Sequence, residues 1–135
     1  MSDGITGEER NWALAVYGLY LIAPFSTGLT FLIGAILAHL RREGARGTLW
    51  ESHYRNLILV FWVWVAAILV GLALAMAGVA HAALVWFRDW PDDLALLYRG
   101  MWLLGATMLG WVLLSLWYYW RLLRGLVHVL DNRPY

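Results

Sequence analysis

The stretch that decides the fold is LILVFWVWVAAILVGLALAMAGVA, residues 57–80, which contains no charged side chain. A second uncharged run, MWLLGATMLGWVLLSLWYYW, covers residues 101–120. A helix rises about 1.5 Å per residue, so each run is long enough to cross a hydrocarbon core of about 30 Å. We therefore predict an all-α integral membrane protein with spanning helices at 57–80 and 101–120.

The composition of the whole chain agrees with a lipid environment. Of its 135 residues, 62% are hydrophobic and only 14% are charged, whereas soluble domains are roughly 45–50% apolar. A soluble domain this small has too little interior to bury so much apolar surface. The ten Trp and seven Tyr suit a protein with two water–lipid interfaces. Without cysteine, disulfides, thiolate metal sites and cysteine nucleophiles are excluded.

A third apolar run, residues 12–40, is interrupted by the sequence APFSTG at residues 23–28. Pro24 removes a backbone donor and clashes with the preceding turn, and Gly28 loosens the backbone further. The run is either one long helix kinked near Pro24 or two half-helices that meet at a buried break. Ser26, Thr27 and Thr30 offer hydrogen bonds to the freed backbone groups. We favour the kinked helix.

The distribution of arginine predicts an orientation. The first loop holds Arg41, Arg42, Arg46 and Arg55, and further arginines follow residue 120, whereas Arg10 is the one basic residue of an acidic N-terminus. The positive-inside rule then places the N-terminus outside and both the first loop and the C-terminus in the cytoplasm. This pattern demands an odd number of crossings. We expect a three-span helical bundle in a bacterial inner membrane, forming a single domain over 1–135 with an interfacial helical extension at 121–130 and no cleaved signal peptide.

Small residues recur every four positions on each predicted span. Such ridges allow close backbone contact between membrane helices, where lipid tails provide no hydrophobic drive for association. We expect the ridges to face one another within the chain or to serve a homodimer. Their members are Thr30, Gly34 and Ala38 on the first span, Ala67, Gly71 and Ala75 on the second, and Ala106 and Gly110 on the third.

The polar stretch HLRREGARGTLWESHYRN, residues 39–56, separates the first two spans. Glu51 and Arg55 stand four apart and are predicted to pair along one helix face. His53 lies between them, where its ring can bond the turn or a facing carbonyl. We favour a structural role for this turn and keep ligand binding as the alternative. Anionic lipid headgroups are expected to contact the arginines of the first loop, Arg41, Arg42 and Arg46.

Residue patterns typical of catalysis are lacking. The four histidines show no metal-ligand spacing, every Asp and Glu lies in a loop or a tail, and the glycines match no phosphate-binding loop. We expect no catalytic, metal or cofactor site and no nucleic-acid partner. The expected partners are the lipid bilayer, other membrane proteins or a second copy of the chain.

The segments GLTFLIGAILAHLRREG and TLWESHYRNLILVFW together resemble small bacterial inner-membrane proteins of unknown function, which are loosely grouped with a Tic-twenty-like family. The family is named after a chloroplast inner-envelope import component. The matching positions are Gly28, Thr30, Gly34, Ala38, Arg41, His53, Arg55, Phe61, Trp62, Arg121, Gly125, Leu126 and Pro134. The chloroplast relatives have four membrane helices, so the resemblance implies that residues 12–40 are split, whereas the charge count implies three spans.

These observations favour a non-enzymatic membrane protein that associates with other membrane helices through its small-residue faces. One alternative is an oligomeric channel or translocation component built around the Pro24 break. A weaker alternative is a membrane enzyme that uses His53 and nearby arginines.

Overall fold

The structure is a computed structural model that describes residues 2–26, 28–88 and 94–135. Within these residues the fold is all-helical, which confirms the predicted class. The elements are helix α1 (Ser2–Leu21), a short 3-10 turn (Ala23–Phe25), and helices α2 (Leu29–Gly44), α3 (Leu49–Arg88) and α4 (Leu94–Leu130).

Two of the described helices, α3 and α4, are long and apolar enough to cross a membrane. The qualifying segments are Leu49–Ala80 and Arg99–Leu130, so each extends beyond the uncharged run that predicted it. The extension expected at 121–130 continues α4 without a break. Among the described residues, length and composition therefore support two candidate spans, and a third is not shown.

The kinked first span is wrong, because α1 and α2 are separate helices. The 3-10 turn begins after Ile22 and carries Pro24, which cannot donate the backbone hydrogen bond that a continuous helix requires. Gly28 precedes α2 with a φ of +85°, in the left-handed region that favours glycine. The alternative of two half-helices gives the right helices for residues 12–40, but the break between them is exposed and not buried. Thr27 lies outside the described residues.

Helices α1 and α2 form an antiparallel hairpin. Near the end of α2, Arg41 lies 3.6 Å from a carboxylate oxygen of Glu9 and 3.9 Å from one of Glu8. The Arg41 guanidinium also lies 4.1 Å above the Trp12 ring. The segment before Trp12 and the loop after α2 thus lie at the same end of the hairpin. These contacts do not support the charge-based orientation, with the N-terminus and the first loop on opposite sides of a bilayer, which stays a prediction; the positive-inside count gave no weight to the acidic partners of Arg41.

The chain groups into two compact units, and each is described separately. We call residues Met1–Val63 with Trp117–Tyr135 the polar unit, and residues Trp64–Leu116 the apolar unit. The single domain over 1–135 stays a prediction.

Aromatic rings and close helix contacts fill the core of the polar unit. Gly34 approaches α1 so closely that a Cβ at residue 34 would lie 2.8 Å from the Tyr20 ring. The Phe31 ring packs between Tyr20, at 4.8 Å, and Phe61, at 5.2 Å. These contacts hold the hairpin against the first turns of α3.

The apolar unit has few buried side chains among its described residues. One interior contact joins Trp64 and Trp111, whose ring centroids lie 5.6 Å apart. Gly71 leaves space for the Trp111 ring, which would lie 3.4 Å from a Cβ there. The large hydrophobic side chains on both helices are mostly exposed, including Leu69, Leu72, Leu74, Met76, Leu103, Leu104, Met108 and Leu113.

Candidate functional site

A buried polar cluster lies in the polar unit, where α1, α3, α4 and the C-terminal tail meet. Tyr17 of α1 and His53 of α3 have no exposed surface, and Asn56 of α3 is almost fully buried. Buried polar groups are costly unless they are hydrogen-bonded, so their partners decide what the cluster can do.

A continuous chain of hydrogen bonds links these side chains. Arg121 of α4 donates from Nε to the Asn56 side-chain oxygen. Asn56 Nδ2 donates to the Tyr17 hydroxyl at 3.2 Å, and that hydroxyl lies 3.3 Å from His53 Nδ1. At the far end, His53 Nε2 lies 2.8 Å from the backbone oxygen of Arg133. We call these five residues the His53 chain.

The partners fix the direction of every bond in the His53 chain. The Arg133 carbonyl can only accept, so His53 Nε2 carries the proton. In the neutral ring Nδ1 then accepts from the Tyr17 hydroxyl, which in turn accepts from the Asn56 amide. Both ring nitrogens of His53 are thereby engaged. The histidine acts as a bridge between α1 and the C-terminal tail.

The hydrogen bonds define the role of Tyr17. The hydroxyl of this fully buried residue accepts from the Asn56 amide and donates to His53 Nδ1. Arg121, the charged end of the chain, is only partly buried and lies 5.4 Å from the Trp117 ring.

The C-terminal tail closes over the cluster. The Tyr135 backbone N–H donates to the Ser52 hydroxyl at 2.9 Å, and His128 Nδ1 lies 2.8 Å from the Pro134 oxygen. The Tyr135 ring lies 5.3 Å from the Arg121 guanidinium and 6.3 Å from the His53 ring. Together with the bond from His53 to the Arg133 carbonyl, these contacts tie the end of α4 to the start of α3.

Gly125 lets α1 approach α4 at this point. A Cβ at residue 125 would overlap the Tyr17 hydroxyl and lie 2.6 Å from its ring carbons. Tyr17 is fully buried and bonded on both sides, so it cannot move aside without breaking the His53 chain. Only glycine allows this approach.

A second group of bonds surrounds the cluster. The Tyr54 hydroxyl donates to a Glu9 carboxylate oxygen at 3.1 Å, beside the pair that Glu9 makes with Arg41. Deeper in the unit, the Tyr20 hydroxyl donates to the Leu57 carbonyl at 3.0 Å, and Tyr118 donates to the Tyr20 carbonyl at 2.6 Å. Each bond joins different helices, so together they fix the relative positions of α1, α3 and α4 within the polar unit.

The three residues predicted at the turn have different environments. His53 is buried and bonds a carbonyl of the C-terminal tail. Glu51 accepts a hydrogen bond from the Gly47 backbone N–H at 3.0 Å, ahead of α3, while Arg55 is exposed. A Glu51–Arg55 pair is not among the ion pairs of the described residues; the carboxylate is directed back to the backbone of the turn instead.

The arginines predicted to contact lipid headgroups differ in their availability. Arg41 is engaged by Glu8, Glu9 and the ring of Trp12. Arg46 forms an exposed pair with Glu43 at 3.4 Å, and pairs of this kind contribute little to stability. Arg42 is exposed.

The members of the three small-residue ridges have different environments. On α2, Gly34 and Ala38 are buried, Gly34 against Tyr20, while Thr30 bonds the Ser26 hydroxyl in the turn. On α3, Ala67 and Gly71 are partly covered and Ala75 is exposed. On α4, Ala106 and Gly110 are exposed, and nothing lies within 4 Å of a Cβ placed at residue 110.

Sequence reasoning missed Tyr17 and Asn56. It noted Arg121 as one of the basic residues after the last span, and Gly125 only through the family resemblance. The available signal was Asn56 itself, an amide at the start of an uncharged run that must find a partner once buried. Its partners lie 39 and 65 positions away in the chain, and no local spacing identifies them.

Comparison of the chain with known families, curated proteins and solved structures found no match. The Tic-twenty-like resemblance therefore stays a prediction.

Proposed function

We propose that this protein is a non-enzymatic assembly component of a bacterial inner membrane that associates laterally with other membrane helices. The observation that carries the proposal is the contrast between the small-residue positions. Gly34 and Gly71 contact rings of the same chain, whereas Gly110 and the neighbouring Ala106 are exposed among large apolar side chains. An exposed small residue on a membrane helix permits the close approach of another helix.

The His53 chain supports a structural role for the polar unit. Both ring nitrogens of His53 are bonded within the protein, and the Tyr17 hydroxyl is bonded to Asn56 and His53. An enzyme that used His53 would first have to break one of these bonds. The arrangement favours a rigid support for the two candidate spans over a reactive centre.

The contacts at the polar end support a revised orientation. Arg41 meets Glu9, and the Tyr135 backbone meets Ser52, so the beginning of α1, the α2–α3 loop and the C-terminal tail share one end of the polar unit. All arginines except Arg88 and Arg99 lie in these segments or next to them. By the positive-inside rule this end faces the cytoplasm.

In-cell photocrosslinking tests the lateral association. A photoreactive amino acid replaces Ala106, and two differently tagged copies are co-expressed so that self-association and capture of another protein are separated. The matched variants are Gly110→Ile and Gly105→Ile. Both glycines are exposed on α4 with nothing within 4 Å of an added Cβ, but they lie about 140° apart around the helix.

We expect a discrete crosslinked product in the parent and in Gly105→Ile, and its loss in Gly110→Ile, because a branched side chain at the contact keeps the helices apart. Equal yields in both variants, or no discrete product in the parent, would contradict the proposal. A ladder of products containing only this chain would instead favour the oligomeric channel.

A further inference from the structure

We infer that the α1–α2 hairpin is re-entrant: its 3-10 turn lies among lipid acyl chains, and both of its helices return to the side that carries Glu9 and Arg41. The partner of its outer face is the hydrocarbon of the bilayer. This inference rests on the membrane residence in the proposed function, but not on lateral association.

Charge fixes the base of the hairpin. Glu8, Glu9 and Arg41 form its ion pairs, and the loop after Arg41 adds further charged, exposed side chains. Burying such groups in hydrocarbon is costly, so this end lies at the water–lipid interface. Trp12, stacked against Arg41, is the kind of aromatic residue that settles there.

Length then limits how deep the hairpin reaches. From Arg41 back to Leu29, α2 rises by about 18 Å at 1.5 Å per residue. A hydrocarbon core is about 30 Å thick. With its charged base at one interface, the turn therefore ends inside the bilayer, short of the opposite side.

The surface of the turn is apolar and unusually exposed. Phe25 is 89% exposed, and Ile22 and Leu29 beside it are more than half exposed. The outer face of α2 continues with exposed Leu32, Ile36 and Leu40. In water this surface would be unfavourable by roughly 25 cal/mol per Å², whereas acyl chains solvate it without cost.

The inner face of the hairpin packs against the parts of α3 and α4 that belong to the polar unit. The Tyr20 hydroxyl donates to the Leu57 carbonyl, Tyr118 donates to the Tyr20 carbonyl, and the Phe31 ring packs on Phe61. The exposed face therefore points away from α3 and α4 within this unit. Lipid is the occupant that its chemistry fits.

Several backbone and side-chain groups in the described part of the turn bond one another, which suits a bilayer. Phe25 donates its backbone N–H to Ile22, and the Ser26 and Gly28 N–H groups both reach the Ala23 carbonyl. The Ser26 side chain bonds the same carbonyl and the Thr30 hydroxyl, and it also accepts from the Thr30 backbone. Pro24 has no N–H to satisfy.

Single cysteines test the inference, since the full chain contains none. We choose Gly7→Cys and Gly44→Cys at the base, both with open space around an added Cβ, and Phe25→Cys at the turn. Because Phe25 is exposed, its replacement leaves the fold intact. Right-side-out and inside-out membrane vesicles are each treated with a membrane-impermeant maleimide, before and after detergent is added.

We expect Gly7→Cys and Gly44→Cys to react from the same side, and Phe25→Cys to react from neither side until detergent is added. A bimane label on Phe25→Cys, introduced in detergent before reconstitution, should be quenched more by lipids with a nitroxide deep in the acyl chain than by lipids with a headgroup nitroxide. An equivalent label on Ile36→Cys, nearer the base, should show a smaller difference.

Reaction of Phe25→Cys from the side opposite Gly44→Cys would overturn the inference, because the hairpin would then cross the membrane completely. Reaction from the same side without detergent would also overturn it, because the hairpin would lie in water. Neither result affects the crosslinking at Ala106, so this inference and the proposed function can fail separately.

Discussion

The polar unit and the apolar unit are stabilised by different means. In the polar unit, His53 and Tyr17 are fully buried and joined by a hydrogen bond. The Tyr17 ring lies so close to Gly125 that a side chain at residue 125 would collide with it. In the apolar unit, a Trp64–Trp111 contact is surrounded by exposed aliphatic side chains. The first region specifies its own arrangement, whereas the second depends on what surrounds it.

Gly125→Leu should produce the largest effect. The new side chain collides with Tyr17, which is held by Asn56 and His53, so the polar unit loses both packing and hydrogen bonds. We expect a loss of about 3 kcal/mol in the free energy of unfolding, measured by chemical denaturation in mild detergent. Gly105→Leu is the control, since nothing lies within 4 Å of an added Cβ there. Equal losses in the two variants would refute the close approach.

Tyr17→Phe should have an intermediate effect. The ring remains, but the Asn56 amide and His53 Nδ1 both lose their partner while buried. An unsatisfied buried group costs about 1–3 kcal/mol, so we expect a loss of about 2 kcal/mol in the same assay. Tyr119→Phe, on the exposed side of α4, serves as the control. A stability unchanged from the parent would mean that the His53 chain contributes nothing.

Ser52→Ala should have the smallest effect, confined to the tail. It removes the hydroxyl that accepts from the Tyr135 N–H, a bond with a net contribution of about 1 kcal/mol. We expect faster carboxypeptidase digestion of the tail with little change in global stability. The control is Ser115→Ala, whose hydroxyl donates to the Trp111 carbonyl of its own helix. Similar digestion rates in the two variants would argue against the tail contact.

The sequence predicted the helices better than their arrangement. Uncharged runs are local signals, and they identified α3 and α4; Pro24 and Gly28 correctly marked a break. The antiparallel arrangement of the helices on either side of the break depends on the ion pair between Arg41 and Glu9 and on the close packing of Tyr20 against Gly34. These contacts join residues far apart in the chain, and the rule used for orientation counts only basic residues.

The candidate site was predictable only in part. His53 was singled out as a residue that bonds a facing carbonyl, but that carbonyl belongs to Arg133, 80 positions later. From the sequence alone, Tyr17 is one of several aromatic residues in an apolar helix, and Asn56 is the last residue of a polar loop. Their role arises from the convergence of three helices, which no spacing within one helix encodes.

We propose that the polar unit maintains its own structure while the apolar unit relies on lipid. Hydrogen exchange of the full chain, compared between lipid nanodiscs and a short-chain detergent, tests this most directly. We predict that amides at 53–60 and 117–125 keep their protection in both media, while amides at 68–80 and 101–113 lose protection when the bilayer is removed. Equal loss in both regions, or loss confined to the segments around His53 and Arg121, would contradict the account.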